Sequence, residues 1–138
     1  MAGYSGTPLP KKLGIKPGHR VALIQAPKGF ALGELPEGAT TSARLNGGPF
    51  NVLLLFAKDS AAMEKYFDSA RAVMTIDGGL WVCWPKKASG VETDLTETEV
   101  RESGLETGLV DNKVCAVDDT WSGLRFVVRV KDRPKAKK

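Results

Sequence analysis

The sequence predicts a single α/β domain on a mostly parallel mixed sheet of five or six strands, with flanking helices and a C-terminal antiparallel hairpin. Three observations carry that expectation. The runs VALIQ (21–25), NVLLLFA (51–57) and LWVCW (80–84) are short and apolar without alternation, as strands covered on both faces are. Between the second and third runs, apolar residues recur at helical spacing. Two further strand-like runs flank a polar six-residue loop near the end of the chain.

The length of 138 residues suits one domain with one core. A chain of that size buries roughly 70% of its unfolded surface and needs no disulfide or metal staple. Hydrophobic residues make up 42% and charged residues 26%, a globular rather than a disordered balance. The expected organisation is an N-terminal extension at 1–12, one domain at 13–130 and a basic, disordered tail at 131–138.

Taken in order, Lys16-Pro17-Gly18 is a turn that launches the strand Val21 to Gln25. A linker with Pro27, Gly29, Gly33, Pro36 and Gly38 follows. The Thr-rich segment Thr40 to Leu45 reads as a short strand near an edge. Four residues separate Leu45 from Phe50, too few for a crossover, so this strand is expected to run antiparallel to its neighbours. After Asn46-Gly47-Gly48-Pro49 comes the buried strand Asn51 to Ala57.

Asp59 or Ser60 is positioned to cap the next helix. Its stripe of Ala62, Met63, Tyr66, Phe67, Ala70, Val73 and Met74 reads as core, and Asp77-Gly78-Gly79 is expected to end it before the strand Leu80 to Trp84. Thr96 and Glu99 form a capping-box pattern for a helix at Thr96 to Ser103, with Leu95 and Val100 at the staple positions. Gly104 suits its C-terminal stop. The closing strands are Lys113 to Val117 and Leu124 to Val130, joined across the loop Asp118 to Gly123.

Charge is unevenly distributed. The last eight residues, KDRPKAKK, hold five bases and one acid, which accounts for the whole net charge of +4. Such a tail, with no aromatics, supports at most salt-sensitive and non-specific contact with nucleic acid. Residues 92–119 hold nine acids against Arg101 and Lys113, while residues 1–20 hold four bases and no acid. Pairing between these two regions is the simplest expectation.

The start MAGYSGTPLPKK has no apolar run after its charges, and the longest apolar stretch, Val52 to Ala57, is far short of the ~20 residues that span a bilayer. A cytoplasmic location without a membrane partner is expected. Cys83 and Cys115 lie in apolar runs and are expected to be reduced core thiols. With one histidine and no CxxC spacing, no metal site is expected.

The segment order 51–57, helix, 80–84, helix and terminal hairpin resembles the second half of a class I methyltransferase, a Rossmann-like fold. More specifically, LGIKPG (13–18), FNVLLLF (50–56), GGLWVCWPKKASG (78–90) and TWSGLRFV (120–127) resemble an uncharacterised family of small bacterial domains of unknown function. That resemblance covers Leu13 to Arg129 and implies a fold without an assigned activity. The methyltransferase likeness implies a glycine-rich turn after the first strand and an acid after the second. Here stand Gln25-Ala26-Pro27-Lys28-Gly29-Phe30 and Asn46-Gly47, so S-adenosylmethionine and NAD are disfavoured and no cofactor is expected.

In open α/β sheets ligands bind beyond the carboxyl ends of the strands. That edge is expected to gather Lys28, Lys58, Ser60, Lys86, Lys87, Ser89, Asp118, Asp119 and Trp121, beside two helix N-termini that favour anions. The candidate ligand is a small phosphate- or nucleotide-like anion, with Trp121 or Trp84 as a stacking surface. The alternative is a solvated edge in which Asp118 and Asp119 pair with Lys86 or Lys87 and the Trp-containing corners only pack. The loop at 85–95 is the segment most expected to carry function.

Catalytic groups are poorly grouped. His19 is expected at the opposite edge, away from Ser89 and Ser122, and both thiols inside the core. Asp118 and Asp119 form a possible carboxylate pair, although adjacent acids in a turn more often cap backbone groups. Three readings compete: a non-catalytic domain that binds a small anion or a protein partner, a divergent methyltransferase-like enzyme, and a nucleic-acid-associated protein acting through its tail.

Overall fold

The three apolar runs form the centre of one six-stranded sheet in the computed structural model, which describes residues 7–133. Its strands are β1 (Arg20–Ile24), β2 (Thr40–Ser42), β3 (Phe50–Phe56), β4 (Met74–Pro85), β5 (Val110–Ala116) and β6 (Trp121–Val127). Its helices are α1 (Leu9–Lys12), α2 (Ser60–Ala72) and α3 (Glu97–Leu105). The order across the sheet is β2-β1-β3-β4-β6-β5. Strands β2, β1, β3 and β4 are parallel, whereas β6 is antiparallel to β4 on one side and β5 on the other. The sheet is therefore mixed, with a parallel half and an antiparallel half. Residues 1–6 of the expected extension and 134–138 of the expected tail lie outside the described residues.

Alternation along the strands divides the core in two. Ala22, Leu53, Leu55, Leu80, Val82 and Phe126 face α2 and α3, meeting Met63, Phe67, Ala70 and Val100. These helix positions follow the inward stripe of an amphipathic helix. Val21, Val52, Leu54, Phe56, Trp81 and Cys83 face the other way. That second face is covered by Leu9, Leu13 and Ile15 together with Phe30, Leu32 and Leu35. Helices on both faces are expected from the sequence. Instead, apart from the single turn α1, irregular chain does the covering, because these segments supply enough apolar side chains without a helix.

Trp81 is the largest fully buried side chain. Its indole N–H donates to the Leu13 carbonyl at 3.1 Å, so burial of the ring also anchors the N-terminal segment. Lys12 Nζ donates to the Ala116 carbonyl at 2.9 Å, and Lys113 Nζ to the Lys12 carbonyl at 3.1 Å. The basic start of the chain does meet the acidic region, but through backbone carbonyls. Both ion pairs among the described residues instead join acids to Arg101, namely Glu97 at 2.7 Å and Asp111 at 2.9 Å.

The structure corrects several local expectations. Strand β2 is three residues long and parallel to β1, with Arg20 opposite Thr40. The short connection to β3 is sufficient because Ser42 lies level with Ala22 and, across β1, with Leu53. Residues 43–49 therefore descend only about 10 Å to reach Phe50. Helix α2 ends at Ala72, and Met74 already pairs with Phe50. Gly78 and Gly79 lie inside β4 rather than ending the helix. At Gly79 a Cβ would collide with the Arg125 guanidinium, so a side chain's approach, not a turn, calls for glycine there.

Gly104 is likewise inside α3 rather than at its stop, because its bare Cα leaves room for the Phe126 ring. The hairpin strands begin three residues earlier than expected at each start, and the connecting turn shortens to residues 117–120. Asp118 Oδ1 accepts from Thr120 N and Trp121 N, both at 2.8 Å, closing that turn and returning Trp121, Ser122 and Gly123 to β6. The start of α3 is as expected: Thr96 Oγ1 accepts from Glu99 N at 3.2 Å, and Leu95 and Val100 are both buried.

Two substitutions test this packing. Gly104→Ala should lower stability by about 1–2 kcal/mol, since overpacking against Phe126 outweighs the gain in helix propensity; a raised melting temperature would contradict the close approach. Trp81→Phe should cost about 1–3 kcal/mol by removing the donor to the buried Leu13 carbonyl. It should also speed hydrogen exchange across residues 9–16, which is the readout specific to that anchor.

Candidate functional site

Strands β1, β3 and β4 all point their carboxyl ends to one edge of the sheet, joined there by the turn between β5 and β6. The chain leaves β1 toward β2 on one side and then returns to β3 on the other. The ends of β1 and β3 thus form the topological switch point at which open α/β sheets bind ligands. All nine candidate residues lie on or beside loops at this edge. Their immediate partners separate those committed to structure from those left over.

Ser60 is committed. Its amide and hydroxyl donate to the two carboxylate oxygens of Asp94 at 2.8 and 2.6 Å. Asp59 caps the same helix end, accepting from Ala62 N at 2.9 Å. The α2 N-terminus is therefore occupied by the chain's own carboxylates, and the α3 N-terminus carries Glu97 and Glu99 in its first turn. The expectation that these two ends attract an external anion is corrected: their positive ends are already neutralised locally. The Ser60 hydroxyl and amide hold the Asp94 carboxyl below the usual carboxylate range.

Ser89 and Asp118 are also committed. The Ser89 hydroxyl donates to the Lys86 carbonyl at 2.6 Å and accepts from Val91 N at 3.1 Å. Asp118 closes the hairpin turn as described, while Asp119 is exposed. The two acids are thus divided between a cap and solvent. The alternative in which they pair with Lys86 or Lys87 is not what the structure shows: among the described residues the ion pairs are those of Arg101. The link between these segments is a backbone one, Lys86 N to the Thr120 carbonyl at 2.7 Å.

Lys28, Lys58 and Lys87 are exposed and Lys86 is half-buried. The two tryptophans of this edge lie on opposite faces. Trp84 and Lys87 line a groove of about 470 Å³ under the loop at 90–97, together with Glu92, Asp94 and Glu97. Three acids against one lysine make that groove unfavourable to anions. On the other face, Phe30 and Phe56 meet edge-on at 4.8 Å, and Phe56 and Trp121 at 5.2 Å. Phe30 and Trp121 are half-buried and so keep part of their surface toward solvent.

Two features of this edge carry no signal in the sequence. Gln25, the first residue after β1, has φ of 60°, the only left-handed non-glycine residue described. A side chain in that region costs roughly 1–2 kcal/mol. Asp94 reaches Ser60 across 34 positions of sequence, and no local pattern announces that pairing.

The groups with intrinsic catalytic chemistry lie elsewhere. His19 precedes β1 at the amino edge, with Nδ1 accepting from Lys16 N at 3.1 Å. Partial burial, then Lys16, push its pKa down against the pull of Asp77. Cys83 is buried and Cys115 half-buried, and burial pushes both thiols up, away from the reactive thiolate. Among the described residues no three His, Cys, Asp or Glu side chains converge as a metal site would require, and no helix is long and apolar enough to cross a membrane. No protein-family model matches the chain, and no curated protein matches it.

The Asp94 clasp predicts a pH dependence. A lowered folded-state pKa contributes stability above the unfolded value, about 3.9 for aspartate, and that contribution is lost as pH falls through the folded value. Asp94→Asn should therefore be less stable than the parent at pH 7 and converge toward it below about pH 4. Urea midpoints across that range measure this. Parallel pH profiles for the two proteins would show that the clasp contributes nothing.

Proposed function

We propose that this chain is a cytoplasmic binding domain with a Rossmann-like sheet. It takes a small phosphate- or nucleotide-like anion at the switch point between β1 and β3. Lys28 and Lys58 supply the charge, Lys86 contributes from the neighbouring strand end, and Phe30 with Trp121 offers the surface for a planar group. The observation that carries this reading is a coincidence at one edge of the sheet: a left-handed, non-glycine Gln25, two exposed lysines outside the ion pairs of the described residues and an aromatic cluster. Strain held at a single residue beside a switch point fits a backbone shaped for a ligand rather than for packing. Binding is favoured over catalysis because the histidine, the thiols and Asp118 are all remote, buried or engaged.

A second reading, a divergent S-adenosylmethionine-dependent enzyme, is favoured by the sheet itself. Its parallel half closes on a terminal antiparallel hairpin, as the likeness to class I methyltransferases implies. Gln25 also takes a left-handed turn at the end of β1, where that likeness implies a glycine-rich one.

A thermal-shift screen against S-adenosylmethionine, S-adenosylhomocysteine, NAD, ATP, GTP and pyrophosphate separates the readings. A ligand at 100 times its Kd stabilises by about 2.7 kcal/mol, several degrees for a domain of this size. A shift with nucleotides or pyrophosphate that disappears in Lys28→Ala and Lys86→Ala is the expected result. A shift confined to the methyl donor and its product would favour the enzyme, and no shift with any of them would turn the search to protein partners.

A further inference from the structure

The amino edge of the sheet carries a second arrangement, independent of the carboxyl edge. A cavity of about 110 Å³ is lined by Lys16, His19, Asn51, Asp77, Gly78 and Arg125. At roughly 30 Å³ per water, it has room for three or four waters or one tetrahedral oxyanion. The residues around it come from the segment before β1, the start of β3, the middle of β4 and β6, so the tertiary fold alone assembles it.

Its hydrogen-bonding inventory is one-sided. Asn51 Oδ1 already accepts from Arg20 N at 2.8 Å, which leaves the side-chain NH₂ as donor. His19 Nδ1 already accepts from Lys16 N, which leaves the Nε2 proton as donor. Lys16 adds an ammonium. Arg125 lies over Gly79, and its Nε is buried with no acceptor among the described residues. Burial disfavours its charged form and Arg133 repels it, yet guanidinium stays protonated in proteins. A half-buried cation with an unused donor calls for an anion. Among the side chains lining the cavity the acceptor left over is Asp77, an exposed carboxylate outside the described ion pairs, and the Thr75 hydroxyl beside Gly78 is buried without a partner among the described residues.

The geometry points to this cavity as a site for a protonated phosphoryl oxyanion, either free hydrogen phosphate or, below its second pKa of about 6, the monoanionic terminal group of a phosphomonoester, held by Arg125, Lys16, His19 and Asn51. Asp77 sets the selectivity. Its carboxylate accepts a hydrogen bond from the P–OH of hydrogen phosphate, whereas sulfate is unprotonated at neutral pH and meets the carboxylate as a bare like charge. Phosphate is therefore preferred over sulfate, and Asp77→Asn removes that preference. The site shares no residue with the carboxyl edge and stands or falls apart from it.

The test is a thermal-shift and calorimetric titration of the full chain with inorganic phosphate, sodium sulfate and glycerol phosphate at matched ionic strength. Phosphate should stabilise the parent protein and sulfate should bind more weakly. Arg125→Gln should weaken phosphate about tenfold or more, the loss of one charge-assisted hydrogen bond. The exposed Lys16 allows a second variant, Lys16→Ala, that keeps the test intact if Arg125→Gln does not fold. Tighter binding of phosphate than of the ester, or the reverse, identifies the free ion or the end group. Lys28→Ala and Lys86→Ala should leave this binding unchanged. The proposal is overturned by no phosphate shift at tens of millimolar concentrations, by equal shifts with sulfate, or by a shift that Lys28→Ala abolishes while Lys16→Ala retains it.

Discussion

Trp81 occupies the centre of the sheet on the face that α2 and α3 do not cover, and it is fully enclosed there. A ring of that size cannot be shielded by neighbouring strands alone, so the chain before β1 and the long connection after it must fold over it. The indole N–H to the Leu13 carbonyl makes this covering directional as well as hydrophobic. Gly123 lies beneath the ring, where a Cβ would come within 3.1 Å of it. Around this enclosed side chain gather Leu9 of α1, Leu13, Phe30, Leu32 and Leu35 in one cluster, with Gly123 of β6 against the ring.

The two edges of the sheet differ in how their charges are satisfied. At the carboxyl edge, helix ends, the serines and Asp118 are matched within the chain, and the lysines on the aromatic side remain. At the amino edge His19 Nδ1 and Asn51 Oδ1 are matched, while Arg125 Nε and the Asp77 carboxylate remain. In both places the useful signal is what local pairing leaves over, since an engaged group has no free energy to offer a ligand. The same reasoning removes the Trp84 groove, where three acids outweigh Lys87.

Much of the architecture was legible in the residues. The unalternating runs VALIQ, NVLLLFA and LWVCW marked the central strands because burial on both faces leaves no polar positions. The stripe from Ala62 to Ala70 and the Thr96 cap with its Leu95–Val100 staple followed from the helical period and from orphan amide groups at a helix start. Glycines misled in both helices' surroundings. Gly79 and Gly104 are read locally as stops, but each makes room for a side chain of β6, Arg125 and Phe126, that is distant in sequence. For the candidate site, the loops at the carboxyl edge were legible, whereas Asp94, Gln25 and the pairing state of every lysine were not.

The sequence by itself determined an α/β fold with a central apolar sheet, its principal helices and the carboxyl edge as a place to look, because periodicity and capping are local consequences of burial and hydrogen bonding. Only the tertiary structure decided that β2 runs parallel, that irregular chain covers the second face and that Asp94 closes the start of α2. It alone brought Arg125 to Lys16, His19 and Asn51. These depend on contacts between residues far apart in sequence, and such contacts leave no period or motif in the chain that makes them.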